Sequence, residues 1–82
     1  MPQFHYVYTL QSIPHPTHHY VGLTTDLQSR LAKHNEAGNP HTAPFRPWAI
    51  KTATAFSDPR RAATFERYLK TSSGRSFAKK HL

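Results

Sequence analysis

Only four carboxylates occur in this chain of 82 residues, and one of them stands where an apolar side chain belongs. From Asp58 onward the sequence reads as a helix, and at 100° per residue Ala62, Phe65 and Leu69 form its apolar stripe. Glu66 falls inside that stripe, between Ala62 and Leu69. A carboxylate turned toward a core is costly unless it is paired or holds a metal. One outcome is an ion pair within the fold, with Arg30 as the expected partner. The other is a single-carboxylate site for Mg²⁺, which takes oxygen ligands and is commonly held by one or two carboxylates. The scarcity of acids in the chain favours the second.

Arg30 and His34 are one turn apart on an earlier helix and point the same way. Arg30 could grip a phosphate bidentately, or lie as a solvated arginine over the rim of the core. His34 could donate to a phosphate oxygen, move a proton, or hydrogen-bond within the fold as a half-buried histidine. Tyr6, Tyr8 and Tyr20 fall on two strands expected to pair, where aromatics most often serve packing. A tyrosine reaching a cationic pocket could instead serve as a general base, its pKa lowered by the neighbouring positive charge.

These side chains must be positioned by a small set of elements. Phe4 to Leu10 is aromatic and β-branched and reads as a strand, with Phe4, Tyr6, Tyr8 and Leu10 on one face and His5, Val7 and Thr9 on the other. Pro14 and Pro16 mark a turn, and His18 to Leu23 is the antiparallel return strand. Thr25 with Gln28 has the form of a capping box, opening a helix from about Asp26 to Glu36 with Leu27, Leu31 and His34 on one stripe and Gly38 as its stop. Pro40, Pro44 and Pro47 preclude a regular element in the loop that follows, and a loop of that length is often functional. Trp48 to Phe56 reads as a third strand. Asp58 caps the second helix with Pro59 in its first turn, and the helix runs to about Lys70. Ser72-Ser73-Gly74 breaks the chain before a basic tail helix, Arg75 to His81. The expected fold class is α/β (α+β), a three-stranded antiparallel sheet flanked by helices in the order β-β-α-β-α-α, forming a single domain over residues 1–82.

Charge is the strongest compositional signal. Eleven Lys and Arg give a formal net charge of +7, and the sequence pI is about 10.3. A pI above about 9 is the electrostatic footprint of a polyanion binder, and nucleic acid is the expected partner. The basic residues form no block, which argues against a membrane surface. The absence of cysteine excludes a disulfide scaffold, a Cys-ligated zinc site and a thiol nucleophile. With no long apolar run and no basic-then-apolar leader, a cytoplasmic location is expected.

Taken together, the segments resemble the GIY-YIG nuclease domain. Tyr6-Val7-Tyr8 and Tyr20-Val21-Gly22 are similar to its paired motifs, with eleven residues between Tyr8 and Tyr20. Thr24 to Asn35 resembles its Arg-bearing helix with a His-Asn end, and the Glu66 helix followed by Leu69 to Lys79 resembles the small stand-alone bacterial-type members. The resemblance implies an endonuclease, unspecific or structure-selective, that hydrolyses DNA phosphodiester bonds with one Mg²⁺ or Mn²⁺ per active site. Single-stranded or branched DNA are candidate substrates and DNA repair a candidate process. Glu66 is then the metal ligand, and Arg30 stabilises charge on the phosphate. Tyr8 and Tyr20 activate water and orient substrate or water, and His34 assists proton transfer or phosphate contact. Tyr6 replaces the first motif's glycine, and Leu23 stands where the nucleotide-excision-repair incision subunit has a lysine, so the base is assigned to Tyr8 with His34 nearby. Lys33, Arg46, Lys51, Arg60, Arg61, Arg75, Lys79 and Lys80 are the expected contacts to the DNA backbone, each acting through counterion release. The chain is expected as a monomer or weak homodimer.

Two rivals come from other classes. The same fold could hold single-stranded nucleic acid without cutting it, using aromatic faces in a basic groove. A zinc site could be built from His15, His18, His19 and His41, but His18 and His19, adjacent on a strand, point to opposite faces.

Overall fold

The structure is a computed structural model and describes residues 3–36 and 40–82. Its elements are β1 (His5–Ser12), β2 (His19–Thr24), α1 (Leu27–His34), a 3₁₀ turn (Ala43–Phe45), β3 (Trp48–Phe56), α2 (Pro59–Leu69) and α3 (Ser72–His81). The strands form one antiparallel sheet in the order β2-β1-β3, which makes β1 the central strand. This is the expected fold class and element order.

The alternation in β1 sends its side chains to two different cores. Val7 is buried on one face with Ala62 and Leu69, and Phe56, Phe65 and Phe77 pack around them, so α2 and α3 cover this side. Tyr8 and Leu10 are buried on the other face with Trp48, against Leu27 and Leu31 of α1. A strand covered on both faces reads as a continuous buried run, which is what Val7 to Leu10 is. Between Thr9 and Leu10 the pairing with β3 shifts by one residue: Thr9 faces Thr52 and Leu10 faces Ile50, leaving Lys51 as the extra residue of a β-bulge. The bulge brings Ile50 and Trp48 onto the Leu10 face.

Several local expectations need adjustment. The cap of α1 is Asp26, whose carboxylate accepts from the Ser29 backbone N–H at 3.1 Å, in place of Thr25. The backbone N–H of Asp26 donates to the Thr24 hydroxyl, so the chain is already turned one residue earlier and Asp26 reaches the cap position. The helix ends at His34 with Asn35 as its C-cap, and the expected stop at Gly38 lies outside the described residues. In the proline-rich loop, Pro44 stands near the start of the 3₁₀ turn, where its missing N–H leaves no bond unmade. The α2 start is as expected, with Asp58 accepting from Arg60 and Pro59 at the first position. The break before α3 falls at Lys70 and Thr71, with Ser72, Ser73 and Gly74 already inside α3. The Thr71 hydroxyl makes this possible, because it donates to the Tyr68 carbonyl at 2.6 Å and accepts from the Gly74 N–H at 3.1 Å.

That tight turn explains Gly74. A Cβ there would collide with the Tyr68 carbonyl and stand 2.6 Å from the Leu69 Cα, and neither is a flexible side-chain end. Gly74→Ala is expected to destabilise the protein by about 1–3 kcal/mol, the range for overpacking. The neighbouring exposed substitution Ser73→Ala should change stability by less than about 0.5 kcal/mol. Urea unfolding of the two variants beside wild type checks the pair.

Candidate active site

The site is built around the hydroxyl of Tyr8. On the central strand, Tyr8 is 2% exposed, and its ring runs across the sheet to the residue opposite, Gly22 of β2. A Cβ at Gly22 would overlap the Tyr8 ring, coming within 2.8 Å of its Cε1, so the glycine is the space the tyrosine occupies. Beyond the gap the hydroxyl meets Nε2 of His34 at 3.1 Å. His34 is itself 5% exposed, at the end of the α1 stripe that Leu27 and Leu31 anchor to the sheet. Tyr20, opposite Leu10 in the β1–β2 register, completes an aromatic cluster. Its ring centroid is 4.4 Å from that of His34 and 6.4 Å from that of Tyr8. Tyr6 stays outside this cluster and packs against Phe4.

Three ties hold α1 at the required distance. Asn35 behaves as a strand partner for Trp48: its side-chain Nδ2 donates to the Trp48 carbonyl at 3.2 Å, and its Oδ1 accepts from the Trp48 N–H at 2.6 Å. The Thr42 hydroxyl donates to the His34 carbonyl, and the Trp48 indole N–H donates to the Thr42 carbonyl at 2.9 Å. The Ser12 hydroxyl donates to the Phe45 carbonyl at 2.5 Å, fixing the 3₁₀ turn beneath the strand end.

The electrostatics differ from the expected picture of a tyrosine acidified by positive charge. The Tyr8 hydroxyl is pushed up to about 12. Burial is the main cause, and the neighbouring Tyr20 and Glu66 add to it while Arg30 pulls the other way. Tyr8 is therefore a protonated phenol at neutral pH. His34 is shifted down, by burial first and then by the Arg30 guanidinium, so its ring is neutral and its Nε2 can accept from Tyr8. Arg30 is exposed on α1, and Glu66 belongs to α2 on the other side of the sheet. Both charges are nonetheless felt at the Tyr8 hydroxyl.

Glu66 does not pair with Arg30, as expected of an ion pair within the fold. Its carboxylate lies 2.6 Å from the Lys70 ammonium, with the Glu66 side chain 18% exposed. The reason is geometric: Lys70 follows by four residues on one helix face, whereas Arg30 sits across the sheet. Lys70 was legible in the sequence by that same spacing. Among the described residues no group of three or more His, Cys, Asp or Glu converges on one point, so the donor set here is the single Glu66 carboxylate. A half-buried carboxylate held by a flexible lysine suits a hard divalent cation that keeps most of its waters and takes further oxygens from a phosphate. His15 and His18 contact Phe45, with the His18 ring stacked on it at 4.0 Å, while His19 lies on another surface.

The eight expected backbone contacts are all exposed, and three of them line one groove. Lys51, Arg75 and Lys79 line a common groove between the sheet and α3, which Lys70 and His19 share. Lys33, Arg46, Arg60, Arg61 and Lys80 are not among the residues that line it.

The sheet brings Tyr8, Tyr20 and His34 into one cluster, and the charges of Arg30 and Glu66 both act on the Tyr8 hydroxyl. By sequence comparison, the GIY-YIG catalytic domain matches residues 4–80, and the chain belongs to that family. A relative from Scheffersomyces stipitis named structure-specific endonuclease subunit SLX1 is 44% identical over 56 residues, covering 61% of this chain and 17% of that protein. The matched segment is thus a small part of that relative's length.

Because the folded protein holds His34 below the ordinary histidine value of about 6.5, the unfolded chain binds its proton more readily. The stability gained from a neutral buried ring is present above about pH 6.5 and is lost as pH falls toward the lower folded value. The urea midpoint should therefore drop between pH 7.5 and pH 5, and the drop should be shallower in His34→Gln.

Proposed function

We propose that residues 1–82 form one GIY-YIG endonuclease domain that hydrolyses DNA phosphodiester bonds, unspecific for sequence or selective for DNA structure, with one Mg²⁺ or Mn²⁺ at Glu66. The observation that carries this reading is the Tyr8–His34 hydrogen bond of 3.1 Å, set where Tyr20, Arg30 and Glu66 all act on the Tyr8 hydroxyl. The family and the endonuclease relative support it.

In the proposed reaction Tyr8 acts as a proton relay. Its phenol, too weak an acid to ionise at neutral pH, takes a proton from water while passing its own to Nε2 of His34. The water oxygen forms a bond to phosphorus, the bond to the leaving sugar oxygen breaks with its electron pair, and solvent protonates that oxygen. Arg30, exposed at the rim, pairs with the phosphate oxygens as charge builds on them. Tyr20 orients the substrate or the water. Glu66 would hold the cation, which when bound would supply positive charge to polarise the phosphate and stabilise the leaving oxygen.

Cutting of single-stranded, duplex and branched DNA, scored on gels with Mg²⁺, Mn²⁺ or EDTA, tests the reading. Wild type should cut with metal and not with EDTA, Glu66→Ala should lose cutting, and Tyr8→Phe should slow it by about 10²-fold or more. Binding without cutting, unchanged in Glu66→Ala, would mean a nucleic-acid-binding module in which Glu66 is an ion-pair partner of Lys70.

A further inference from the structure

Behind Tyr20 the molecule has an open groove of about 750 Å³, between the sheet and α3. Four cations, Lys51, Lys70, Arg75 and Lys79, line it, and no Asp or Glu is among its lining residues. Its floor is apolar, made by Val21, Leu69, Ala78 and Leu82. The β-bulge in β3 contributes directly, since the residue it leaves unmatched is Lys51. One cation, Lys70, also holds the Glu66 carboxylate, and Tyr20 belongs both to the groove and to the aromatic cluster with Tyr8 and His34. Tyr20 is 37% exposed on the edge strand beside the groove.

A cationic rim over an apolar floor is a poor match for a duplex, whose bases are stacked inward and which offers phosphates alone. It matches a strand whose bases are unpaired, because phosphates can meet the lysines while bases lie on apolar and aromatic surface. We infer that this groove binds an unpaired stretch of DNA strand leading to the phosphate at the catalytic site, with Lys51, Lys70, Arg75 and Lys79 on its backbone and the apolar floor of Val21, Leu69, Ala78 and Leu82 under its bases. The groove then selects substrates carrying single-stranded nucleotides beside the scissile bond. The inference takes DNA as the ligand from the nuclease reading, but it concerns binding and is tested without any cutting.

The test is fluorescence anisotropy in EDTA, with a labelled twelve-nucleotide oligothymidylate, an abasic oligomer of equal length and a duplex of equal length, over a range of salt. In the double variant Lys51→Ala/Lys79→Ala, single-strand affinity should fall tenfold or more. Its dependence on log salt should become shallower by about 1.4, two phosphate contacts at about 0.7 each. Duplex affinity should fall much less. The control variant Arg67→Ala, exposed and outside the groove, should keep single-strand affinity within about twofold. The abasic oligomer should bind wild type at least tenfold more weakly than the thymidylate. Equal losses in the double variant and the control, equal losses for single strand and duplex, or undiminished binding of the abasic oligomer would each overturn the inference. Thermal melts of both variants verify that they fold. Failure of the nuclease reading would show separately, as intact groove binding in a protein that never cuts.

Discussion

A tyrosine at the centre of a three-stranded sheet imposes a demand that the rest of this fold answers. Its ring is covered from both ends, yet its hydroxyl must find a polar partner, because a buried donor left alone costs about 1–3 kcal/mol. His34 is that partner. Meeting it requires a gap in β2, which is why Gly22 faces Tyr8, and a helix end held at a fixed height above the sheet. Asn35 supplies the height by pairing with the Trp48 main chain as a strand would, and Thr42 locks the carbonyl of His34 from the other side. The proline-rich loop is thus a clamp on the helix end.

The charges divide along the sheet. On the α1 face, Arg30 sits at the rim of a site whose buried Tyr8 phenol and neutral imidazole carry no formal charge. On the α2–α3 face, cations gather around a groove, and the carboxylate at its edge is already held by Lys70. A partly exposed pair of this kind contributes little to stability, about 0–1 kcal/mol, so it can be exchanged for another partner at small cost. Lys70 therefore connects the two surfaces in an electrostatic sense: whatever draws its ammonium into the groove frees an oxygen of Glu66.

The strands, the α2 cap and both helical stripes were legible because period and turn chemistry are local. Asp58-Pro59 fixes a helix start by itself, and Leu27 and Leu31 can face only one way on an amphipathic helix. Glu66 was legible as an anomaly in such a stripe, but its partner was misjudged. Pairing across elements needs the layer order, and the sheet lies between Arg30 and Glu66. The bulge at Lys51 left no mark in the sequence, since a one-residue slip in β3 is visible only against β1. For the same reason the groove could not be seen, although most of its lysines and its arginine had been noted one at a time. The raised pKa of Tyr8 was hidden too, because burial outweighs Arg30 and burial is a property of the assembled fold.

His34 shows what the site costs the fold. Its Nδ1 is buried with no hydrogen-bond partner among the described residues. If Tyr8 donates to Nε2, the ring proton sits on Nδ1 and points at no acceptor. If Nε2 donates to Tyr8, the Nδ1 lone pair goes unmet. Either tautomer leaves one buried polar atom unsatisfied, and the ring's reluctance to take a second proton follows from the same burial. Paired apolar side chains in place of Tyr8 and His34 would remove both the penalty and the need for a gap at Gly22, so packing alone gives no reason for this arrangement. What the arrangement does provide is a neutral imidazole held 3.1 Å from a phenol whose ring lies 6.4 Å from that of Tyr20 and whose hydroxyl feels the Arg30 charge. The unsatisfied nitrogen is what the fold accepts to keep that pair intact, the pair through which the proposed relay would pass its proton.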